Sequence, residues 1–341
     1  MAFRDMRSTA YVLIWLSLAG LMLYSGTQVF LSHGADSVVG TIALLPGLAG
    51  MALILARTGD HPLWRDSLTR WAWIGWGGLA LTAILEVALG GVFSAIRLHL
   101  ALPISLAPPL YWLYRRFSNV SAAWTINSLR SALLLLMVSG AARLFAESHP
   151  AEPALRPAFA LIAILCLLIV GAHSMLPQSD RNPSRVMAAP WAAQAMIWLI
   201  LGGSLSAGAA LPGLSWARHP LLDQAVDAAL MTSAWCVLLG IANQAAAELR
   251  GQNRRVTGWI PFWLIFGGAL LIIAGLAAAG LLTAFQAALP GGTPVRADLD
   301  GWGAALLEPF AAFWRVGGVL TLTGALIFAL TYFLRRPRPI R

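Results

Sequence analysis

Long apolar runs separated by short polar connections dominate this chain. A helix that crosses the hydrocarbon of a bilayer needs about 20 largely apolar residues, and ten stretches meet that requirement, near 10–31, 37–56, 71–92, 98–114, 122–142, 157–176, 187–212, 221–247, 260–288 and 307–333. The pattern predicts an all-α, polytopic membrane bundle of about ten transmembrane helices. The connections are short and none is rich enough in Ser, Gly or Pro to act as a linker, so residues 1–341 read as a single transmembrane domain. The longest outer loops, Glu147 to Arg156 and Leu289 to Gly303, mix Pro, Gly and acidic residues in the manner of ordered surface turns open to a partner.

Composition excludes a soluble class: 59% of residues are hydrophobic and 11% charged, and the mean hydropathy is +0.73. Every one of the 23 basic residues is an arginine, which rules out a lysine Schiff base or a phosphate-loop lysine. With the N-terminus placed in the cytoplasm, 16 of the 23 fall on that side, from Arg4, Arg7, Arg57, Arg65 and Arg70 through to Arg335, Arg336, Arg338 and Arg341. The positive-inside rule then predicts that both termini are cytoplasmic. Arg97, Arg130, Arg143, Arg156, Arg218, Arg296 and Arg315 fall in outer loops or within spans. The net charge of +9 is accounted for by this topology and not by nucleic-acid binding. Cys166 and Cys236 each lie inside a span, without a CxxC pair or disulfide framework. The first span lacks a cleavage site in a suitable polar context and reads as a retained helix. Tryptophans and tyrosines near span ends, such as Trp71, Trp112 and Trp216, read as interfacial anchors.

The last ninety residues carry a Trp/Gly/Arg pattern. Phe262-Trp263-Leu264 is followed by Gly268 and Gly280, then by Arg315-Val316-Gly317-Gly318 and Gly324-Ala325-Leu326. Upstream, in collinear order, come Asp66-Ser67-Leu68 with Trp71, Gly75 and Trp76, then Ala123-Trp124, Pro177 with Arg181-Asn182-Pro183, and Ala210-Leu211-Pro212. Together these elements resemble the catalytic subunit of a haem-copper oxidase of the cbb type. The stretch between Pro212 and Ala225 is too short for that family's eighth and ninth helices, so ten spans match a version lacking that pair.

The resemblance implies a low-spin haem held by two histidines, a high-spin haem held by one and a copper held by three more. At the matching positions this chain has Gly40, Pro157, Ser204, Leu205, Ala225 and Asp227. None replaces imidazole as an axial haem ligand. The expectation is therefore a bundle without catalytic residues, haem or metal, and without oxygen or nitric oxide reduction.

Ionisable residues inside spans are costly and functional suspects by default. Glu86, Arg130, Asp227 and Arg315 are the clearest here, as buried polar or proton-path residues. Asp227 is expected to pair with Arg315 or Arg130, and Glu86 to be paired inside the bundle or to belong to a proton path. His33, His99, His149 and His219 fall near the outer surface, where they face water or headgroups or, in the alternative, bind haem or copper. His61 reads as a solvated loop residue and His173 as a lone helix contact. The sequon Asn119-Val120-Ser121 lies on the cytoplasmic side, and no HExxH, Walker, GxSxG or dinucleotide motif is present.

These readings converge on a multi-pass protein of the bacterial inner membrane. It is expected to be a non-catalytic, cofactor-free subunit that scaffolds or anchors a respiratory electron-transfer complex, with the bilayer and other membrane or periplasm-facing subunits as partners and no nucleic acid. The alternatives are a haem- or copper-binding redox protein using the outer histidines, and a proton or small-solute transporter using Glu86 and Asp227.

Overall fold

The structure is a computed structural model that describes residues 2–30, 37–58, 62–89, 92–117, 122–148, 155–175, 188–211, 219–250, 256–288 and 302–333. His33, His61, His149, Arg218, Arg296, Trp216, the Asn119 sequon, the Pro177 to Pro183 turn, Pro212 and most of both predicted outer loops lie outside the described residues.

Among the described residues the regular structure is helical throughout: α1 (Ala2–Phe30), α2 (Ser37–Thr58), α3 (Pro62–Leu89), α4 (Val92–Ile96), a π-helical turn (Arg97–Ala101), α5 (Leu102–Phe117), α6 (Ala122–Ser148), α7 (Leu155–Met175), α8 (Ala188–Ala209), α9 (Pro220–Arg250), α10 (Val256–Ala288) and α11 (Trp302–Phe333). Nine helical spans among them are long and apolar enough to cross a membrane, and α1 adds a shorter apolar stretch, Val12–Gly26. The protein is an all-α membrane bundle. α4, the π-turn and α5 form one continuous span that begins at Phe93, earlier than the apolar run at 98–114 suggests, because Arg97 sits inside the helix and not before it.

Consecutive spans run antiparallel where the pairing of positions along them fixes the direction. On α1 and α2, Gly20 meets Ala43, Ser17 meets Gly47 and Ala10 meets Gly50. On α10 and α11, Gly268 meets Gly317 and Thr321, Gly275 meets Phe310 and Phe313, and Pro261 meets Gly324. At the Gly268–Gly317 crossing a Cβ on either glycine would lie 2.5 Å from the other's carbonyl oxygen. The two backbones therefore touch, the close approach that small residues allow where lipid supplies no hydrophobic drive between helices. α1 closes the bundle against α11.

α9 runs through the centre. In its span Pro220–Gln244, 83% of the segment is buried, against 22% for Ser67–Leu89 of α3, which turns Ile74, Leu81, Ile84 and Val87 outward. α9 packs on α8, α10, α2 and α5. Its start is set by local chemistry: Pro220 occupies the first helical position, where a missing N–H costs nothing. His219 caps the helix, with Nδ1 accepting from the Leu221 N–H at 3.3 Å, and Asp223 lies in the first turn, favourable to the helix dipole.

The π-turn is the main irregularity. Leu102 N–H bonds to the Arg97 carbonyl, five residues back. Pro103 follows at once and has no N–H to donate, which frees a carbonyl one turn earlier. α6 exploits the opening, since a Cβ on Gly140 would stand 2.6 Å from the His99 oxygen.

Candidate functional site

Two polar clusters flank this turn, both toward the end of the bundle where α3, α6 and α8 finish and α2, α4 and α9 begin. In the first, Arg97 is fully buried and its guanidinium meets the Glu86 carboxylate through both oxygens, Nε to Oε2 at 2.5 Å and Nη2 to Oε1 at 3.2 Å. Its Nη1 donates to Thr41 Oγ1 at 2.5 Å. The Thr41 hydroxyl in turn points at Met231 Sδ, 3.7 Å away. The fork of Arg97 thus ties α3 and α2 to the π-turn, with α9 at the end of the chain of contacts.

In the second cluster Arg143 of α6 is buried and donates from Nε to Ser206 Oγ of α8 at 2.7 Å. Ser206 Oγ also lies 3.4 Å from His99 Nε2 on the π-turn. With Arg143 filling an acceptor position on Ser206, the serine hydrogen is available to His99, which suits an imidazole carrying its proton on Nδ1. A cavity of about 20 Å³ beside His99 and Arg143 is walled by Ser139, Gly140, Leu199 and Gly203, and is large enough for one water. Elsewhere, His173 packs flat on Trp124 and shares a 2.9 Å hydrogen bond with Ser128, so it joins α7 to α6, the helix contact expected of it.

Of the four in-span residues singled out from sequence, Glu86 is brought into a buried pair, but with Arg97. Arg130 and Arg315 are exposed on the outside of α6 and α11, and Asp227 is half-buried on α9. The described ion pair inside the bundle is Glu86–Arg97, not the expected Asp227 pairing with Arg315 or Arg130. The physical reason is directional: on helices that turn those two arginines outward, their long side chains reach the surface and not the core. Arg97 and Thr41 were not singled out. The available signal was that Glu86 and Arg97 stand at similar distances on either side of Gly90-Gly91, which puts opposite charges at similar depth on adjoining spans.

The positions that the oxidase resemblance assigns to metal ligands are scattered in character. Gly40 and Ala225 are buried, while Pro157, Ser204, Leu205 and Asp227 are half-buried. At Gly40 a Cβ would meet Met231 Cε at 2.9 Å and the Tyr24 ring at 3.0 Å, so those side chains hold the space an imidazole needs. With no imidazole or thiolate at any of the six, these residues do not fit a haem iron or a copper centre. Among the described residues no group of three or more His, Cys, Asp and Glu comes together. Of the four histidines assigned from sequence to the outer side, the two that are described are His99, which faces Ser206, and His219, which caps α9. No protein-family model matches the chain, and no curated protein matches it.

Proposed function

We propose that this chain is a non-catalytic, cofactor-free membrane scaffold, a subunit that anchors a respiratory electron-transfer complex in the bacterial inner membrane with both termini in the cytoplasm. The observation that carries the scaffold reading is the way the interior is closed: the Arg97 fork is taken up by Glu86 and Thr41, and Met231 and Tyr24 pack over Gly40. A buried ion pair and hydroxyl that join three helices at one point favour a fixed bundle over a moving one. The respiratory setting and the expectation of cofactor-bearing partner subunits come from the sequence resemblance alone.

The test is purification of the chain from native membranes in mild detergent, followed by identification of co-purifying proteins and a visible absorption spectrum. The reading expects a stoichiometric complex with membrane or periplasm-facing subunits that carry the redox groups, and no Soret band from the isolated chain. A stoichiometric Soret band in the isolated chain, or a chain that purifies without partners, overturns it.

A second reading, proton or small-solute transport, draws on one observation. Glu86, Arg97 and Thr41 form a continuous polar path across three spans. Reconstituted vesicles separate the two readings, because flux abolished by Glu86→Gln belongs to a transporter and not to a scaffold.

A further inference from the structure

A cavity of about 30 Å³ lies between α1, α9, α10 and α11, apart from both polar clusters. Its wall is mostly apolar, with Leu21 and Ile265 among its residues, and none of the residues lining it is charged. Five of the residues lining it carry a hydroxyl or indole group: Tyr24, Ser25, Thr232, Trp235 and Thr321. Two of these are spent, since Thr232 Oγ1 donates to the Ala228 carbonyl at 2.6 Å and Thr321 Oγ1 to the Gly317 carbonyl at 2.9 Å. Ser25 and Trp235 differ. Ser25 Oγ and Trp235 Nε1 meet no hydrogen-bond partner among the described residues, although each residue is only 2% exposed. Buried polar atoms in proteins are almost always satisfied, so a cavity bordered by two that are not points to a missing partner.

We propose that this cavity takes the carbonyl oxygen of a neutral molecule dissolved in the lipid phase, held by hydrogen bonds from Trp235 Nε1 and Ser25 Oγ. The uncharged wall selects a neutral ligand, because nothing there compensates a charge taken out of water. An indole N–H only donates, so its partner must be an acceptor. A carbonyl oxygen accepts from both groups and brings no hydrogens of its own into a wall of leucine, isoleucine and alanine. The volume, roughly that of two waters, fits a carbonyl with its flanking carbons, and the ligand's chain follows the apolar wall. The ester carbonyl of a neutral glycerolipid and the ring carbonyl of an isoprenoid quinone share this chemistry. The inference stands whether or not the chain is a scaffold.

The test is native mass spectrometry of the full chain, delipidated in detergent and back-titrated in three arms: a diacylglycerol, its ether-linked analogue without ester carbonyls, and a short-chain ubiquinone. The expected result is one tightly held molecule per chain, in either the ester-lipid or the quinone arm. Trp235→Phe and Ser25→Ala are each expected to weaken that binding about fivefold, the effect of losing one hydrogen bond. The arm that responds identifies the source, and a preference for ester over ether lipid in the wild-type chain supports the lipid without any substitution. Equal binding of ester and ether lipids, together with no effect of either substitution in any arm, overturns the proposal and leaves the cavity to water. If Trp235→Phe fails to fold, Ser25→Ala and the wild-type ester–ether comparison decide.

Discussion

Arg97 Nη1 donates to Thr41 Oγ1 at 2.5 Å, which sets a guanidinium beside the residue that follows Gly40 on α2. One buried cation thereby reads the positions of three helices at once, through a carboxylate on α3, a hydroxyl on α2 and its own π-turn.

Glu86→Gln removes the negative charge that both carboxylate oxygens present to the buried Arg97 guanidinium. Breaking a buried pair from one side costs about 3–5 kcal/mol, so thermal unfolding in detergent is expected to shift strongly downward. The double substitution Glu86→Leu with Arg97→Leu is expected to recover most of that loss. A single variant as stable as the wild type would remove the pair from any account of the fold.

Gly268 and Gly267 are adjacent but face different surroundings. A Cβ at Gly268 would run into Gly317 and Thr321, whereas at Gly267 it meets nothing within 4 Å. Gly268→Ala is expected to destabilise by about 1–3 kcal/mol, the usual range for overpacking, and Gly267→Ala to be neutral or slightly stabilising. Parallel melting curves of the two variants check the contrast, and equal effects would mean that α10 and α11 are not in backbone contact.

Reinstating a histidine at Gly40 should not recruit haem. The new side chain would have to displace Met231 Cε and the Tyr24 ring, so Gly40→His is expected to lower stability and to give no Soret band after haem is supplied during expression. A stoichiometric Soret band in this variant would show that the interior can reopen.

His219 gives the chain a pH dependence with a definite sign. It lies just outside the α9 span, and burial pulls its pKa below the ordinary 6.5, a shift only partly opposed by the Asp223 carboxylate. The folded state therefore prefers the neutral ring, whose Nδ1 accepts from Leu221 N–H. This contribution is fully present above the unfolded value and is lost as pH falls below it, because the unfolded chain then binds the proton more readily. Melting temperatures measured from about pH 7 down to pH 5 should fall more steeply for the wild type than for His219→Asn, which keeps a good capping side chain without the titration. Parallel slopes would dismiss the His219 contribution.

The spans were legible because apolar length depends on composition alone: the run at 260–288 and the stretch containing Ala225 both became helices close to where the hydropathy put them. α4 was not legible in the same way. Arg97 looks like a boundary to any count of apolar residues, and only its neutralisation by Glu86, which requires the two spans to be side by side, lets it sit in the interior. The sequence carried the costly residues Glu86 and Asp227 but not their surroundings, since which face of a helix turns inward depends on every other helix in the bundle. Arg130 and Arg315 show the same gap, because a periodicity blurred by apolar residues on all sides does not reveal which side meets lipid.

The π-turn also couples the length of a span to its chemistry. Excising one residue between Arg97 and Ala101 would restore ordinary helical winding and leave both flanks close to their present faces, because a π-turn absorbs one extra residue without turning the helix beyond it. Leu102, Leu106 and Leu113 would stay enclosed, and what would be lost is the widened turn whose His99 carbonyl lies against Gly140. A related chain one residue shorter in this span is thus expected to keep its pairing of Glu86 with Arg97 and to lose the irregular turn, so that length is free to drift here where the rest of the span tolerates only substitution.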